Sequence, residues 1–319
     1  MEDALRYAVL IPCLNEEATI GKVVEDFRRV LPEADIYVYD NNSTDRTAEI
    51  ARAAGAIVER ETRQGKGYVV RAMFEKIEAD LYVLVDGDDT YPAEALPSLL
   101  EPAARGEADM VVGSRLKDAD RRSFKAVNRF GNRLLSRLFN LCFRAKFRDL
   151  LSGYRVMTRD FVKNIPIITY GFDIETGLGI QSIVNGYVAA EVPISYRERP
   201  AGSATKLRPF ADGYRILKTM LGAVIDFRPM WLFALITALL VLVALGFGLA
   251  ALLVPPSTTA LVLAIFFCFF ALLAALSLAV GVVLKVVNIK HLEQMSVWRK
   301  RAGRAEGVEA NARRPRQDA

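Results

Sequence analysis

The sequence predicts an α/β domain on a mostly parallel sheet, followed by a two-helix transmembrane hairpin. Three observations carry this. Strand-like and helix-like stretches alternate from Tyr7 to Arg115, the pattern of βαβ units. Polar clusters follow several of the strands, where open parallel sheets bind ligands. Between Arg228 and Lys285 there is no Asp, Glu, Lys or Arg.

YAVLIPC (7–13) is a short apolar run and reads as a buried strand. EEATIGKVVEDFRRVL (16–31) places Ile20, Val23, Val24, Phe27 and Leu31 at helical spacing, so a helix packs on the sheet. IYVYD (36–40) is a second strand, closed by the polar turn NNSTD, and DRTAEIARAAG is a helix stopped at Gly55. AIVER is a short strand, GYVVRAMFEKI a helix, LYVLVD a strand and DMVVGSR (109–115) another. The domain is expected over residues 1–206. LRPFADGYRILKTMLGAVIDF places Phe210, Tyr214, Leu217, Leu221 and Val224 on one side, with Arg215 and Lys218 among them. A juxtamembrane helix over 207–229 fits, lying at the membrane interface or packing on the domain.

Met230–Val254 and Thr258–Leu284 are each long enough, at ~1.5 Å per residue, to cross a hydrocarbon core of ~30 Å. Only Pro255, Pro256 and Ser257 separate them, so the chain turns straight back. Basic residues precede the first span and follow the second, which places both termini and the domain on the cytoplasmic side of the plasma (inner) membrane. No cleavable signal peptide is expected, because the first apolar run is short. Residues 285–319 hold 9 Lys+Arg and 4 Asp+Glu, which accounts for the net charge of +5. A basic tail beside a membrane span suits anionic headgroups, not nucleic acid. The last residues, NARRPRQDA, read as disordered.

The chemistry concentrates in LVDGDDTYP, where Asp86, Asp88 and Asp89 fall within four residues. Crowded carboxylates repel and raise one another's pKa, so they imply a solvated turn, a hydrogen-bond network or a bound cation. Their company, Asn15 and Glu16 after the first strand and Asp40 to Asp45 after the second, favours a shared ligand rich in phosphate with a divalent metal, Mg2+ or Mn2+. The chain has one His, His291 in the tail, which excludes a His-based site in the domain, and Cys13, Cys142 and Cys268 form no CxxC pair. RQGKG lacks the third Gly of a dinucleotide loop, and no GxxxxGK[ST] occurs. Lys66 between two glycines can still approach a diphosphate.

IPCLNEE, YDNNSTDRT, RQGKG, LVDGDDTYP, VVGSR, DLLSGYRVMTR and YRERPAGSATKL, in this order, resemble the family 2 glycosyltransferases of the GT-A (Rossmann-like) fold. More narrowly they are similar to the polyprenyl-phosphate group, that of dolichol-phosphate mannose synthase and bacterial polyprenyl-phosphate glucosyltransferases. The resemblance implies an inverting enzyme moving a sugar from a UDP- or GDP-sugar to a polyprenyl or dolichyl phosphate. It implies Pro12, Asn15 and Glu16 beside the nucleoside, Asp40 and Asn41 at the base, and Asp86, Gly87 and Asp88 as the metal-binding DxD. Asn41 stands where an acidic residue is common, and Thr90 where some members have Gln. Phe172, Asp173 and Glu175 fall on the sugar side.

An acceptor phosphate is already mostly ionised at neutral pH, its second pKa lying near ~6, so cations matter more than a strong base. Arg115, Arg129, Arg133 and Lys206 are the candidates, and Asp149 either positions the nucleophile, takes a residual proton or caps a turn. Expected partners are a nucleotide diphosphate sugar, a polyprenyl phosphate lipid and the membrane, with a homo-oligomer as an open option. A processive polysaccharide synthase would need a QxxRW motif, and a nucleotidyltransferase a GxGTRxxP-like opening; neither is present. A different membrane acceptor, or a non-catalytic nucleotide-sugar module, are the alternatives.

Overall fold

The structure is a computed structural model of the 319-residue chain and describes residues 5–115, 126–167, 169, 171, 173–200, 206 and 209–312. The chain divides into two compact units, Met1–Met220 and Leu221–Ala319.

The first unit contains β1 (Tyr7–Cys13), α1 (Ile20–Val30), β2 (Asp35–Asp40), α2 (Thr47–Ala53), β3 (Ile57–Arg60), α3 (Lys66–Lys76) and β4 (Leu81–Leu84). A 3-10 turn (Ala93–Ala95) leads into α4 (Leu96–Ala104) and β5 (Met110–Ser114). Then come α5 (Ala126–Phe143), β6 (Arg155–Thr158), α6 (Arg159–Asn164), α7 (Ile174–Val184), β7 (Ala189–Pro193) and α8 (Pro209–Phe227), whose last turns enter the second unit.

The strands form one sheet in the order β3-β2-β1-β4-β6-β5-β7. All neighbours are parallel except β6, which runs antiparallel to both β4 and β5. Six strands therefore end on one edge, and β6 begins there. Arg155, its first residue, pairs with Leu84 at the end of β4 and with Val112 near the end of β5. The first half matches the sequence expectation, because each βαβ unit there has a clear period. The antiparallel strand has no such signature, since VMT is too short to show alternation.

Buried side chains of α1 (Ile20, Val23, Val24, Phe27) pack with Val9, Ile11, Val38 and Val83 of the sheet. Fully burying each such side chain contributes about 1.5–3 kcal/mol against leaving it exposed. The helix expected from Glu16 starts at Ile20 instead. Asn15 takes the left-handed region (φ 50°), and the Glu16 amide donates to Thr47 Oγ1 at 2.8 Å. The residues between strand and helix thus serve the loop. In α8, Asp212, Ile216 and Met220 are buried while Tyr214, Leu217, Arg215 and Lys218 face outward, so the helix packs on one side and carries an apolar and basic face on the other.

The second unit contains α9 (Pro229–Leu253) and α10 (Thr258–Ala312). Both could cross a membrane, α10 through its stretch Thr258–Lys290. They meet through close packing at glycine, stacking of Phe247 on Phe266 and Phe270, and hydrogen bonds of Ser277. A Cβ on Gly281 would lie 2.7 Å from Phe233 Cβ, and Thr237 Oγ1 lies 3.1 Å from Ser277 Oγ. Leu235, Leu239, Leu242, Leu272 and Leu276 are exposed, as lipid-facing residues would be. Helix α10 continues past residue 284, where the sequence places the end of the span, through the basic stretch to Ala312. Of the residues expected to be disordered, 311–319, Asn311 and Ala312 continue α10, and 313–319 lie outside the described residues.

Candidate active site

At the carboxyl edge of the sheet, the loops after β1 and β2 are laced together. Pairing of Cys13 with Asp40 sets the two strand ends side by side, leaving Pro12 half-buried in β1 opposite Tyr39. Asn15 donates its amide to Ser43 Oγ and accepts from the Thr44 amide at 2.7 Å. Asp40 accepts from the Ser43 amide, closing its own turn. Asn41 is buried and its side-chain groups all have partners: Nδ2 donates to the Glu61 and Arg63 carbonyls, and Oδ1 accepts from Gly65 N and Gln64 Nε2. Asn41 therefore holds the loop that precedes Lys66. Gly65 caps α3 at φ 139°, a conformation that side chains rarely adopt.

That loop delivers Lys66 to the carboxylates after β4. Its Nζ donates to Asp86 Oδ1 at 2.6 Å and Glu175 Oε1 at 2.5 Å. Burial works against the Lys66 charge, but the two carboxylates outweigh it and hold the ammonium well above its ordinary range. Asp88 is buried; Oδ1 accepts from Thr90 N and Oγ1, and Oδ2 pairs with Arg199. Burial first, and the charge of Asp86 next, push the Asp88 carboxyl above the usual carboxylate range. The Gly87 carbonyl between them accepts from Thr19 Oγ1 at 2.7 Å. Glu16 pairs with Lys206. Asp89 turns away from this group, toward Lys22 and Arg197.

The second half of the site lies after β5. Asp149 is fully buried and grips Arg115 with both oxygens: Arg115 Nη2 donates to Oδ1 at 2.7 Å, Nε to Oδ2 at 2.8 Å, and the backbone N to Oδ2 at 2.9 Å. Asn132 Nδ2 donates to Oδ1 as well, and the guanidinium lies over the Tyr196 ring. Burial alone would raise the Asp149 carboxyl; the charge and hydrogen bonds of Arg115, helped by Asn132, bring it below the usual range. Between the two halves runs the loop 149–153. Gly153 fits so tightly that a Cβ would lie 2.5 Å from Asp86 Oδ2.

The profile described as "Glycosyl transferase family 2" matches residues 8–165. A Haloferax volcanii protein named dolichyl-phosphate hexose transferase is 37% identical over 222 residues, covering 69% of this chain and 95% of that protein. The chain belongs to glycosyl transferase family 2. A second relative of this glycosyltransferase, "Glycosyltransferase AglJ" of H. volcanii, is 38% identical over 206 residues, 64% of this chain and 67% of the relative. Among solved structures, glucosyl-3-phosphoglycerate synthase from Mycobacterium tuberculosis, in complex with Mn2+, UDP and phosphoglyceric acid, aligns with a TM-score of 0.57 at 23% identity. The alignment covers 69% of this chain and 79% of that one, a likeness of fold, the GT-A fold. The same synthase is also known with Mg2+ and UDP.

Within the glycosyltransferase, Asp86, Asp88, Lys66 and Glu175 come together as one charged group, and Arg115 and Asp149 as another. Asp173 is buried at the start of α7 and accepts from Gly171 N and Thr219 Oγ1. Arg133 is exposed on α5. Arg129 lies one turn before Asn132 in α5, its side chain outside the described residues; Phe172 also lies outside them. Sequence reading missed Arg199, Asn132 and Tyr196. Arg199 lies in a stretch, YRERPAGSATKL, where only Lys206 drew attention. Among the described residues no group of three or more His, Cys, Asp or Glu is arranged to hold a metal alone. Two neighbouring carboxylates, Asp86 and Asp88, fit a hard cation whose shell a diphosphate and water complete.

Proposed function

We propose that this glycosyltransferase moves a sugar, with inversion, from a UDP- or GDP-sugar to the phosphate of a polyprenyl or dolichyl phosphate. The observation that carries this is the buried Arg115 clamp, set across the loop 149–153 from Asp86. It is a fixed cation where a phosphate nucleophile needs one, in a domain without histidine. The Haloferax relative named for dolichyl phosphate supports the same acceptor class.

On the donor side, Pro12, Asn15, Glu16 and Asp40 border the nucleoside, with Asn41 shaping the base pocket through the 61–65 loop. Asp86 and Asp88 would hold Mg2+ or Mn2+, which when bound offsets charge on the departing diphosphate. Lys66 and Arg199, now paired with those carboxylates, are placed to take diphosphate oxygens. On the acceptor side, Arg115, with Arg129, Arg133 and Lys206, counters the repulsion between acceptor phosphate and donor. Glu175, Asp173 and Phe172 flank the sugar. The nucleophile arrives ionised, so Asp149 acts by orienting Arg115. The apolar helices keep the enzyme in the membrane that contains its lipid.

The free polyprenol should be inert where its phosphate reacts, and the rate should fall as pH drops through ~6 as the acceptor gains its second proton. Product mass from paired incubations decides this; efficient glycosylation of the alcohol would sink the phosphate reading. The topology is tested separately. A reporter after Ala319 should read as cytoplasmic and a tag at Ser257 should be reachable from the opposite side. An external C-terminus would rule out a cytoplasmic donor.

A further inference from the structure

Arg155 is fully buried and is the largest such side chain among the described residues. It makes no ion pair among them. Nε donates to the Ser152 carbonyl at 3.1 Å, Nη2 to the Leu150 carbonyl at 2.6 Å, and Nη1 lies 3.3 Å from Met110 Sδ. Taking a guanidinium out of water without a carboxylate partner is costly. An apolar side chain would fill this strand position more cheaply. Burial lowers its pKa, although Glu175 and Asp149 work the other way.

The two carbonyls it binds belong to the loop 149–153. Other groups hold the same loop: Glu191 takes the Asp149 amide, Ser136 Oγ the Leu150 amide and Tyr91 OH the Gly153 amide, while Ser152 Oγ donates to the Gly113 carbonyl. One end of the loop carries Asp149, which grips Arg115, and the other carries Gly153, which abuts Asp86. Arg155 also pairs with the strands on which both halves of the site sit.

We propose that Arg155 is a positioning residue that fixes the separation between the Asp86 carboxylate and the Arg115 guanidinium by holding both ends of the 149–153 loop. It thereby sets the approach of the acceptor to the donor, an inference that rests on the acceptor reading above. A misplacement of about 1 Å costs about 10²-fold in rate, so the loop needs firm support. Arg155 itself touches neither substrate.

The test compares wild type with Arg155→Met and Arg155→Lys in the full membrane-bound chain. Amide exchange on the unliganded protein should rise at least about tenfold at residues 149–153 in Arg155→Met, with β1, β2 and β4 unchanged. With a short polyprenyl phosphate as acceptor, kcat/KM for the acceptor should fall about 10–100-fold, and KM for the nucleotide sugar by less than about threefold. Arg155→Lys, which keeps donors for the carbonyls, should recover part of both effects. Unchanged exchange at the loop overturns the proposal. So does a uniform rise over the whole sheet, which would mean general stability only, and so does a loosened loop with unaltered transfer. A wild type that ignores polyprenyl phosphates would instead sink the acceptor reading, and the exchange measurement would still decide the loop claim. If Arg155→Met fails to fold, Arg155→Lys carries the same comparison.

Discussion

Asp88→Asn is expected to abolish sugar transfer while the protein stays folded and membrane-bound. The substitution keeps the size of a buried side chain whose Oδ1 accepts from Thr90 and whose Oδ2 meets Arg199. An amide can still accept from Thr90, so the turn after β4 survives. What disappears is one of two negative charges at the proposed metal position. Loss of electrostatic stabilisation of this kind costs about 10²–10³-fold in kcat, and loss of the cation itself costs more. Chelation should reproduce the effect in wild type, and Mg2+ or Mn2+ should restore wild type but not the variant. Circular dichroism and detergent extraction would verify folding and membrane attachment. Near wild-type turnover of Asp88→Asn with either metal present would remove Asp88 from the metal site. Asp86→Asn should behave alike, with one difference: the Asp86 side chain is 31% exposed against 6% for Asp88, so the unliganded site is disturbed less.

Asp149→Ala should have the largest effect on stability. It leaves Arg115 buried and without its carboxylate partner, and breaking a buried pair from one side costs about 3–5 kcal/mol. For a domain of this size that is a fall in Tm of roughly 10 °C. Asp149→Asn should lose less, since an amide oxygen still faces Arg115 and Asn132. The sign of the pH dependence follows from the lowered Asp149 carboxyl. The pair stabilises the fold above the unfolded carboxylate value of ~3.9, and that contribution is lost as pH falls through the lower folded value. In transfer assays Asp149→Asn should raise KM for the acceptor more than it lowers kcat. A collapse of kcat with an unchanged acceptor KM would instead make Asp149 the proton acceptor.

The group of Asp86, Asp88 and Lys66 was legible in the sequence because its signals are local. LYVLVDGDD shows a strand running into carboxylates, and RQGKG shows a lysine between glycines. Each motif works within a few residues of itself. The rest of the site depends on pairings far apart in sequence, Arg115 with Asp149 across 34 residues and Arg199 with Asp88 across 111. Nothing in a single sequence singles out Arg199 from Arg197 two residues earlier, since both sit in a polar, extended stretch. Asn41 was placed correctly at the edge of the sheet, but no residue pattern tells that its amide would be fully occupied inside the protein. For the fold, hydrophobic period found the parallel half, and the charge-free run found the hairpin. Strand β6 was not legible, because its place is fixed by the two strands that flank it.

That place has a consequence for how the chain reaches its native state. Strands β1 to β3 pair over short sequence separations, whereas β4 meets both its neighbours across long ones: β1 in the pairing of Tyr7 with Leu81, and then β6, which waits for residues near 158, in the pairing of Leu81 with Thr158. Non-local pairing of this kind is slow. Until it occurs, β4 is an edge strand made of LYVL, a segment that becomes wholly buried in the finished sheet. Exposed apolar edges recruit strands from other chains. The kinetic hazard of this protein therefore lies at the same strand end that carries its carboxylates.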